Sequence, residues 1–421
     1  MPSRRNLLVP TIGSNAVLSL AHEQQKMPAQ RKRLAVIATI WTYLSHAQHF
    51  VDRFLVGYPH EGKWHKPAMD VASLWVHQRP EGDQSEERAK EFGFKVYPTI
   101  EEALRCGGDR LAVDAVIIMA EHGDYPSNEK GQKLYPRYEW FQQVVNVFAK
   151  DGRAVPVFND KHLSYSFEKA QKMVEASKRL KFPMLAGSSL PVTWRFPALE
   201  LPWGCTIEEA LLAGSGGSDA HDFHALESMQ CMLERRRGGE TGVKTVQLIK
   251  GDAVWKAGED GRWSKRLLEA ALSRCFSMQG LTLLDGRTQD LANNGELPKL
   301  VKNPAAYLIE YNDGLKATLL WLNGAVSDMT FAARIKGVPQ IQSTHFFRSP
   351  GPNVNYSACL VANIEEMIET GHAPYPVERT LLVSGMLERC LTSKVQNHQR
   401  IETPELGVRY LAPRTSHFCR S

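Results

Sequence analysis

The chain has 421 residues, more than one ordinary hydrophobic core organises, so we expect two domains. Hydrophobic residues make up 43% and charged residues 23% of the sequence, as in an ordinary soluble globular protein. The formal net charge of +5 is spread along the chain, and the basic runs at residues 31–33 and 235–237 lack the interleaved aromatic residues of a base-stacking surface. The composition therefore argues against a nucleic-acid-binding protein.

The first thirty residues carry the pattern of an export signal. Arg4 and Arg5 precede a mildly apolar stretch over residues 9–20, and Ser19-Leu20-Ala21 offers the small residues that a signal peptidase reads. The pattern resembles a twin-arginine signal, so we expect residues 1–30 to be an export signal and linker of a periplasmic protein. A cytoplasmic protein with an N-terminal tail is the alternative. No later stretch has the roughly 18 uninterrupted apolar residues of a membrane span.

Apolar segments alternate with helical patterns over residues 31–180. Buried strands are predicted at residues 33–38, 71–76, 113–119 and 155–158, and helices at residues 46–55, 85–92, 138–150 and 167–180. Thr99 and Glu102 form a capping box that predicts a further, short helix. Strands that alternate with helices in this way predict an α/β domain with a parallel, doubly wound sheet.

The pattern changes after a strand at residues 184–187. Strands are predicted at residues 243–249, 306–311, 315–322 and 329–335, and helices at residues 224–236 and 377–394. The turn Asn312-Asp313-Gly314 predicts a hairpin, and Thr206-Ile207-Glu208-Glu209 matches a second capping box. We expect an α+β domain with an open, mostly antiparallel sheet and helices on one face over residues 181–375. A C-terminal helix and tail, residues 376–421, should pack back on the N-terminal domain.

Lys161 is the first candidate for chemistry. The run Asp160-Lys161-His162 follows the strand predicted at residues 155–158, and ligands of open α/β sheets bind at the carboxyl ends of the strands. There a lysine and a histidine can supply a cation and a proton carrier together. A solvated charge cluster at the start of the next helix is the alternative.

A second polar cluster stands just before the helix predicted at residues 224–236. It contains His221 and His224, which are one helical turn apart and suit two ligands on one face, or one buried structural histidine. Arg195, between Trp194 and Phe196, is a candidate to bind a substrate hydroxyl or carboxylate, or to pack at the edge of the core.

A long polar loop follows the strand predicted at residues 113–119. Its residues Glu121, His122 and Asp124 leave the sheet on the same edge as Lys161. His122 and Asp124 are candidate substrate ligands, and together with His162 they are the candidates to coordinate a divalent metal. A loop whose polar residues hydrogen-bond its own backbone is the alternative.

These landmarks, in this order, resemble the Gfo/Idh/MocA family, named for glucose–fructose oxidoreductase and inositol dehydrogenase. The resemblance covers roughly residues 31–400. The matching pieces are Leu34-Ala35-Val36-Ile37, His46-Ala47, the run from Tyr97 to Leu104, Asp160-Lys161-His162 at the place of the family's Glu-Lys-Pro, His224-Ala225-Leu226-Glu227 after Gly216-Gly217, and the helix from Pro376 to Leu391.

The resemblance implies a Rossmann-like domain that binds NAD or NADP and a second domain built on an open antiparallel sheet. It implies an oxidoreductase that acts on a hydroxyl or carbonyl of a sugar or cyclitol, and a homo-oligomer formed through the open sheet. Lys161 would be the active-site lysine and His224 the catalytic acid or base. Asp160, His162 and His221 are the further candidates for this catalytic cluster.

The sequence departs from the family at the dinucleotide fingerprint. The family's Gly-x-Gly-x-x-Gly falls on residues 38–43, so Ala38, Ile40 and Tyr43 stand at the glycine positions, and a β-branched residue at the second obstructs the approach of the backbone to a pyrophosphate. The residues expected to face a cofactor are Ala38, Ile40, Trp41, His46 and Glu121. Two alternatives stay open: a non-redox carbohydrate lyase, hydratase or isomerase on the same scaffold, with a metal allowed, and a non-catalytic sugar-binding protein.

Overall fold

The computed structural model describes residues 31–217, 219–278 and 290–420, so the predicted export signal over residues 1–30 lies outside the described residues. The strands, numbered in chain order, are β1 Lys32–Ala38, β2 Tyr58–His60, β3 Lys63–His65, β4 Met69–Val76, β5 Lys95–Val96, β6 Ala115–Met119, β7 Val157–Asp160, β8 Met184–Gly187, β9 Arg195–Phe196, β10 Ile207–Gly214, β11 Val243–Lys250, β12 Ala305–Tyr311, β13 Lys316–Trp321, β14 Met329–Ile335, β15 Gln342–Phe346 and β16 Ile401–Glu402. The helices are α1 Asp52–Val56, α2 Ser85–Phe92, α3 Ile100–Arg105, α4 Arg137–Asp151, α5 Phe167–Leu180, α6 Asp219–Leu233, α7 Asp252–Glu259, α8 Lys265–Leu272, α9 Leu297–Leu300, α10 Tyr356–Thr370 and α11 Glu378–Val395, with a π-helical turn Ala47–Val51 before α1 and 3₁₀ turns at Leu190–Val192 and Pro404–Leu406.

The first sheet confirms the predicted doubly wound α/β domain. Its six strands are parallel and lie in the order β5-β4-β1-β6-β7-β8. Side chains of β1 point alternately to its two faces, as the period of a strand requires. Ala35 and Ile37 pack with α3 and α4, whereas Leu34 and Val36 pack with α1 and α10. The chain order of the strands reverses at β1, which places the ligand crevice of this fold at the carboxyl ends of β1 and β6.

The second sheet confirms the predicted mostly antiparallel architecture. It has eight strands in the order β16-β11-β12-β13-β10-β14-β15-β9. β10 pairs in parallel with β13, while the other paired neighbours are antiparallel. The predicted hairpin at Asn312-Asp313-Gly314 joins β12 to β13.

Two predictions about this sheet are wrong. Residues 206–209 do not begin a helix, because Ile207 opens β10, a strand in the interior of the sheet whose pairing with β13 and β14 overrides the short capping pattern. Nor are the helices confined to one face. On one face Leu212 packs with α6, and on the other Leu211 packs with α7 and α8. Helices α7 and α8 therefore cover part of the face through which the family resemblance implies contacts between subunits.

The last two long helices connect the two sheets. Helix α10 lies within residues 181–375, assigned above to the second domain, but its side chains Leu360 and Ile364 pack on the first sheet. Helix α11 contacts α5 of the first domain as well as α6 and β11 of the second. None of the described helices has the length and apolarity needed to cross a bilayer.

Candidate active site

Lys161 directly follows β7 and lies where the two domains meet. Its backbone has a φ of 64°, in the left-handed region that non-glycine residues rarely adopt, and its N–H donates to Gly187 O at 3.1 Å. This conformation joins the carboxyl ends of β7 and β8. Backbone strain of this kind costs about 1–3 kcal/mol and is concentrated at functional sites.

The side chain of Lys161 meets His224, which projects from the first turns of α6. Lys161 Nζ is hydrogen-bonded to His224 Nε2, and His224 Nδ1 is hydrogen-bonded to Ser188 Oγ. Because an ammonium group can only donate, Nε2 of His224 accepts from Lys161 and Nδ1 carries the hydrogen that it donates to Ser188. Two strand ends and one helix therefore fix both the orientation and the tautomer of the imidazole.

Burial controls the charge of this pair. Lys161 is 3% exposed, and burial lowers its pKa below the ordinary value of a lysine. The pKa of His224 is held well below its ordinary value, first by burial and then by the charge of Lys161. At neutral pH His224 is thus a neutral imidazole, ready to accept a proton from a group that displaces the lysine from Nε2.

Glu227 supports this arrangement from one turn further along α6. Its carboxylate accepts from the N–H of Ser188 at 2.5 Å, and Thr380 Oγ1 lies 2.6 Å from it. Gly187 has a φ of 122°, and a Cβ there would lie 2.5 Å from a Glu227 oxygen, so only glycine fits. Burial raises the pKa of Glu227 to about 7. Glu227 is a positioning residue that acts through Ser188 on His224.

A second buried pair, His46 and Asp160, lies close to Lys161. His46 Nδ1 lies 2.6 Å from Asp160 Oδ2, and the rings of His46 and His122 are 5.0 Å apart. The pKa of His46 is well below its ordinary value because of burial and the Lys161 charge, and burial raises the pKa of Asp160 to about 6. Residues from three strand ends, after β1, β6 and β7, thus converge beside Lys161.

Glu121 and His162 belong to a third group around a buried arginine. Arg137 donates to Glu121 Oε2 at 2.6 Å and lies 3.2 Å from His162 Nε2. His162 Nε2 is also 3.8 Å from Asp219 Oδ2. Burial, followed by the charge of Arg137, keeps the pKa of His162 well below its ordinary value. The ion pair between Glu121 and Arg137 therefore joins the two ends of the loop after β6.

Two predicted site residues, Asp124 and Arg195, lie apart from these groups, whereas His221 lies beside the Lys161–His224 pair. His221 is at the start of α6, one turn before His224, and its pKa is lowered first by partial burial and then by the charge of Lys161. Asp124 is exposed and bonds to Gln78 through its backbone. Arg195 is buried inside the second domain, where it donates to the carbonyl oxygens of Pro191 at 2.8 Å and Leu199 at 3.0 Å. The structure does not bring Arg195 to Lys161 and His224.

Ser188, Glu227 and Arg137 were not among the site residues predicted from the sequence. Ser188 follows the carboxyl end of β8, so the rule that singles out Lys161 after β7 would also have indicated Ser188. Glu227 is one turn from His224 on the same helix. Arg137 gave no signal of its own, because a buried arginine is recognised only by the partner that folding brings to it.

The predicted metal ligands do not assemble. Within residues 31–217, 219–278 and 290–420, no group of three or more histidine, cysteine, aspartate or glutamate side chains is placed to hold a metal ion. His162 faces Arg137, and Asp124 is at the surface.

Comparisons with known proteins found similar structures but no match to the sequence. No family model and no curated protein matches the sequence. The structure is similar to that of GenD2 from gentamicin A biosynthesis in complex with NAD, with a TM-score of 0.52, 16% identity, and coverage of 94% of this chain and 99% of that one. It is also similar to myo-inositol dehydrogenase from Lactobacillus casei in complex with NAD(H) and myo-inositol, with a TM-score of 0.52, 10% identity, and coverage of 88% and 96%.

A third similar structure is a Gfo/Idh/MocA family oxidoreductase from Vibrio cholerae, with a TM-score of 0.50, 12% identity, and coverage of 87% of this chain and 98% of that one. The chain therefore has the two-domain fold of the Gfo/Idh/MocA oxidoreductases, which confirms the resemblance at the level of the fold.

The loop after β1 cannot bind a pyrophosphate through the backbone contacts that the glycine fingerprint provides. Backbone N–H groups at the start of the following helix already have protein acceptors: Thr42 N donates to Ser45 Oγ at 3.1 Å, Leu44 N to Gln48 Oε1 at 3.1 Å, and His46 N to His122 Nδ1 at 3.4 Å. These are the groups that bind phosphate in a dinucleotide site.

Side chains also fill the crevice itself. Ile40 is 7% exposed and Trp41 is fully buried against Phe94. The loop after β6 closes over Ile40 so tightly that a Cβ on Gly123 would lie 2.9 Å from Gln78 Oε1 and 3.3 Å from Ile40 Cγ2. Gln78, after β4, is tied to this loop by two hydrogen bonds with Asp124, of 2.8 and 2.9 Å.

Proposed function

We propose that this chain is an oxidoreductase, like the enzymes of the same fold in solved structures. Its substrate would be a sugar-like or cyclitol-like small molecule, on which it acts at a hydroxyl or carbonyl group. The observation that carries the proposal is the hydrogen bond between Lys161 Nζ and His224 Nε2. A cation and a neutral imidazole held in contact at the junction of two domains are the groups that proton transfer at a substrate oxygen requires.

The chain's own residues define the proton transfer. A substrate hydroxyl that enters between Lys161 and His224 accepts a hydrogen bond from the ammonium group, which lowers the energy of the developing negative charge. His224 Nε2 takes the hydroxyl proton, and Nδ1–H keeps its bond to Ser188. In the reverse direction the imidazolium returns the proton to a carbonyl oxygen that Lys161 polarises.

The solved structures of similar fold support the redox class and the kind of substrate. GenD2 is in complex with NAD, and the Lactobacillus casei enzyme is in complex with NAD(H) and myo-inositol. A nicotinamide dinucleotide is therefore the first cofactor to test, although residues 39–46 would have to hold its pyrophosphate by contacts other than those of the glycine fingerprint.

The filled loop favours a second candidate function, a lyase, hydratase or isomerase acting on a carbohydrate. Such reactions need an acid and a base at neighbouring atoms and no bound hydride acceptor. The acceptors that Ser45, Gln48 and His122 already supply to the helix start support this candidate.

One experiment separates these functions. The purified full chain is incubated with a panel of monosaccharides and cyclitols that includes myo-inositol, with NAD⁺, with NADP⁺ and without either. Nicotinamide reduction is followed by absorbance and products by NMR, for the wild type, for Lys161→Ala and for His372→Ala, an exposed histidine, as the control. Lys161-dependent nicotinamide reduction supports the oxidoreductase, and Lys161-dependent products without nicotinamide support the second candidate.

A product formed equally by Lys161→Ala contradicts both candidates. Sugar binding without any Lys161-dependent product supports the third function considered, a non-catalytic sugar-binding protein.

Export and assembly remain proposals. A twin-arginine-like signal at Arg4 and Arg5 predicts that Arg4→Lys/Arg5→Lys leaves the chain in the cytoplasm of a bacterial host, which cell fractionation measures. A homo-oligomer is proposed from the family resemblance, and sedimentation of the purified chain tests it.

A further inference from the structure

A cavity of about 350 Å³ opens at the edge of the second sheet, between the ends of β14 and β15 and the first turn of α10. Its polar wall is formed by Asp328, His345, Arg348 and Tyr356, and we call it the edge cavity. Its volume lies within the range of small-molecule sites, which is roughly 300–1,000 Å³. The proton transfer proposed above uses none of these four side chains.

The edge cavity borders the candidate active site. Leu190 lines it, and the Leu190 N–H donates to Ser188 Oγ at 3.0 Å, the same oxygen that holds His224. On its other side the ring of Tyr356 is 6.2 Å from that of His49, whose ring is in turn 4.9 Å from that of His46. The charge of Arg348 also contributes to the lowered pKa of His224, after burial and the larger effects of other charged groups. The edge cavity therefore adjoins the residues that position His224.

The wall of the edge cavity contains a buried polar group that has no hydrogen-bond partner among the described residues. His345 is 3% exposed, its Nδ1 atom has no hydrogen-bond partner within residues 31–217, 219–278 and 290–420, and its Nε2 atom lies 3.5 Å from Asp328 Oδ1. Such a buried group normally has a partner, because leaving it unpaired costs about 1–3 kcal/mol. Asp328 is itself fixed, since its Oδ2 accepts from the N–H groups of Phe276 at 2.6 Å and Ser277 at 2.8 Å.

Three phenylalanine rings surround His345, and we call them the aromatic rim. Phe276 is 72% exposed with its ring 4.9 Å from that of His345, Phe347 is 6.1 Å from His345, and Phe196 is 42% exposed and 5.4 Å from Phe347. Large apolar side chains clustered at the surface beside a polar cavity mark a binding surface. Aromatic rings next to fixed carboxylate and imidazole groups suit a pyranose, whose C–H face packs on a ring and whose hydroxyls take the hydrogen bonds.

We propose that the edge cavity and the aromatic rim bind a second sugar ring, so that the substrate is a disaccharide or larger glycoside whose neighbouring ring reacts at Lys161 and His224. The inference rests on the proposed function for the reacting ring only. A free monosaccharide or cyclitol would occupy the reaction centre and leave His345 Nδ1 and Asp328 Oδ1 without a ligand.

The test measures binding separately from turnover. Affinities of the Lys161→Ala full chain for cellobiose, maltose, lactose and mannobiose, and for glucose, galactose and mannose, are measured by ligand-observed NMR. We expect at least one disaccharide to bind at least tenfold more tightly than its component monosaccharides. Phe276→Ala and Asp328→Asn, added to this chain, should each remove that advantage, whereas Trp64→Ala, a control aromatic that is 64% exposed on the β2–β3 hairpin, should keep it.

Phe276 is mostly exposed, so its replacement should leave the fold intact, which thermal unfolding checks. If no disaccharide in the panel has an advantage, or if the advantage survives Phe276→Ala, the subsite is rejected. A disaccharide advantage that depends on Phe276, in a protein whose wild type shows no Lys161-dependent turnover of that disaccharide or of the monosaccharides and cyclitols, would reject the proposed function and retain the subsite.

Discussion

The Nζ atom of Lys161 and the Nε2 atom of His224 are hydrogen-bonded to each other, although 63 residues separate them in the sequence. Lys161 comes from the end of β7 in the first domain, and His224 from α6 in the second. The contact therefore exists only when the two domains are docked, and it links the packing of the domains to the protonation of the site.

Replacing Lys161 by methionine should raise the pKa of His224, because the lysine charge is the largest contribution to its lowered pKa after burial. The same change should reduce turnover by at least a hundredfold, about 3 kcal/mol of transition-state stabilisation. NMR titration of the His224 ring measures the first effect without any substrate. A His224 pKa that does not move in Lys161→Met would contradict the coupling, and His372→Ala serves as the control.

Glu227 should make the protein less stable as the pH rises through the weakly acidic range. Its folded-state pKa is raised from 4.5 to about 7, so between these values the native state holds a proton that the unfolded state has lost. Stability is then full below about pH 4.5 and falls by about 3 kcal/mol by pH 7. The side chain at position 227 cannot ionise in the Glu227→Gln variant. The free energy of unfolding of this variant should therefore fall less between pH 4.5 and pH 7 than that of the wild type.

Urea unfolding of the wild type and of Glu227→Gln at a series of pH values measures the difference. Asp160, Asp219 and Asp222, with pKa values raised to about 6, act in the same direction in both proteins and cancel in the comparison. Parallel curves for the two proteins would show that Glu227 does not titrate in this range.

Part of the site could be predicted from the sequence, because position in a parallel sheet carries information. Lys161 follows an apolar strand, and the ends of such strands share one edge. His224 was indicated by the family resemblance. The same rule indicates the position of Ser188 but not its contact with His224. That contact, and those of Glu227 and Arg137, depend on which residues folding brings within hydrogen-bond distance.

The dependence on tertiary contacts also explains the wrong predictions about the fold. Residues 207–214 carry both a capping pattern at their start and an apolar strand pattern, and the pairing of β10 with two neighbours decides between them. Helix α10 has an apolar face, but the sequence does not say which sheet covers that face. Short local sequence patterns predicted most of the helices and strands. Where those predictions were wrong, tertiary contacts determined the structure instead.

Replacing Ile40 by glycine should increase the affinity for NADH by about fivefold or more, a gain of roughly 1 kcal/mol. Ile40 stands at the second glycine position, where the absence of a side chain lets the backbone approach a pyrophosphate. Isothermal titration measures the affinity, with Ile40→Val as the matched variant that keeps the β-branch. Equal affinity in Ile40→Gly and Ile40→Val would show that this side chain is not the obstacle, and that the hydrogen bonds of Ser45, Gln48 and His122 are the more important ones.

Removing the Arg137 guanidinium should destabilise the protein by about 3–5 kcal/mol, because it leaves Glu121 buried without its partner. Arg137 is fully buried, and its side chain is 2.6 Å from that of Glu121. The double variant Arg137→Met/Glu121→Gln should be more stable than Arg137→Met alone, since no unpaired charge remains in the core. The same pair of changes at the exposed ion pair of Arg79 and Glu86 should alter stability by less than about 1 kcal/mol. If urea unfolding finds the double variant no more stable than Arg137→Met, the loss comes from packing around Tyr135 rather than from the uncompensated carboxylate of Glu121.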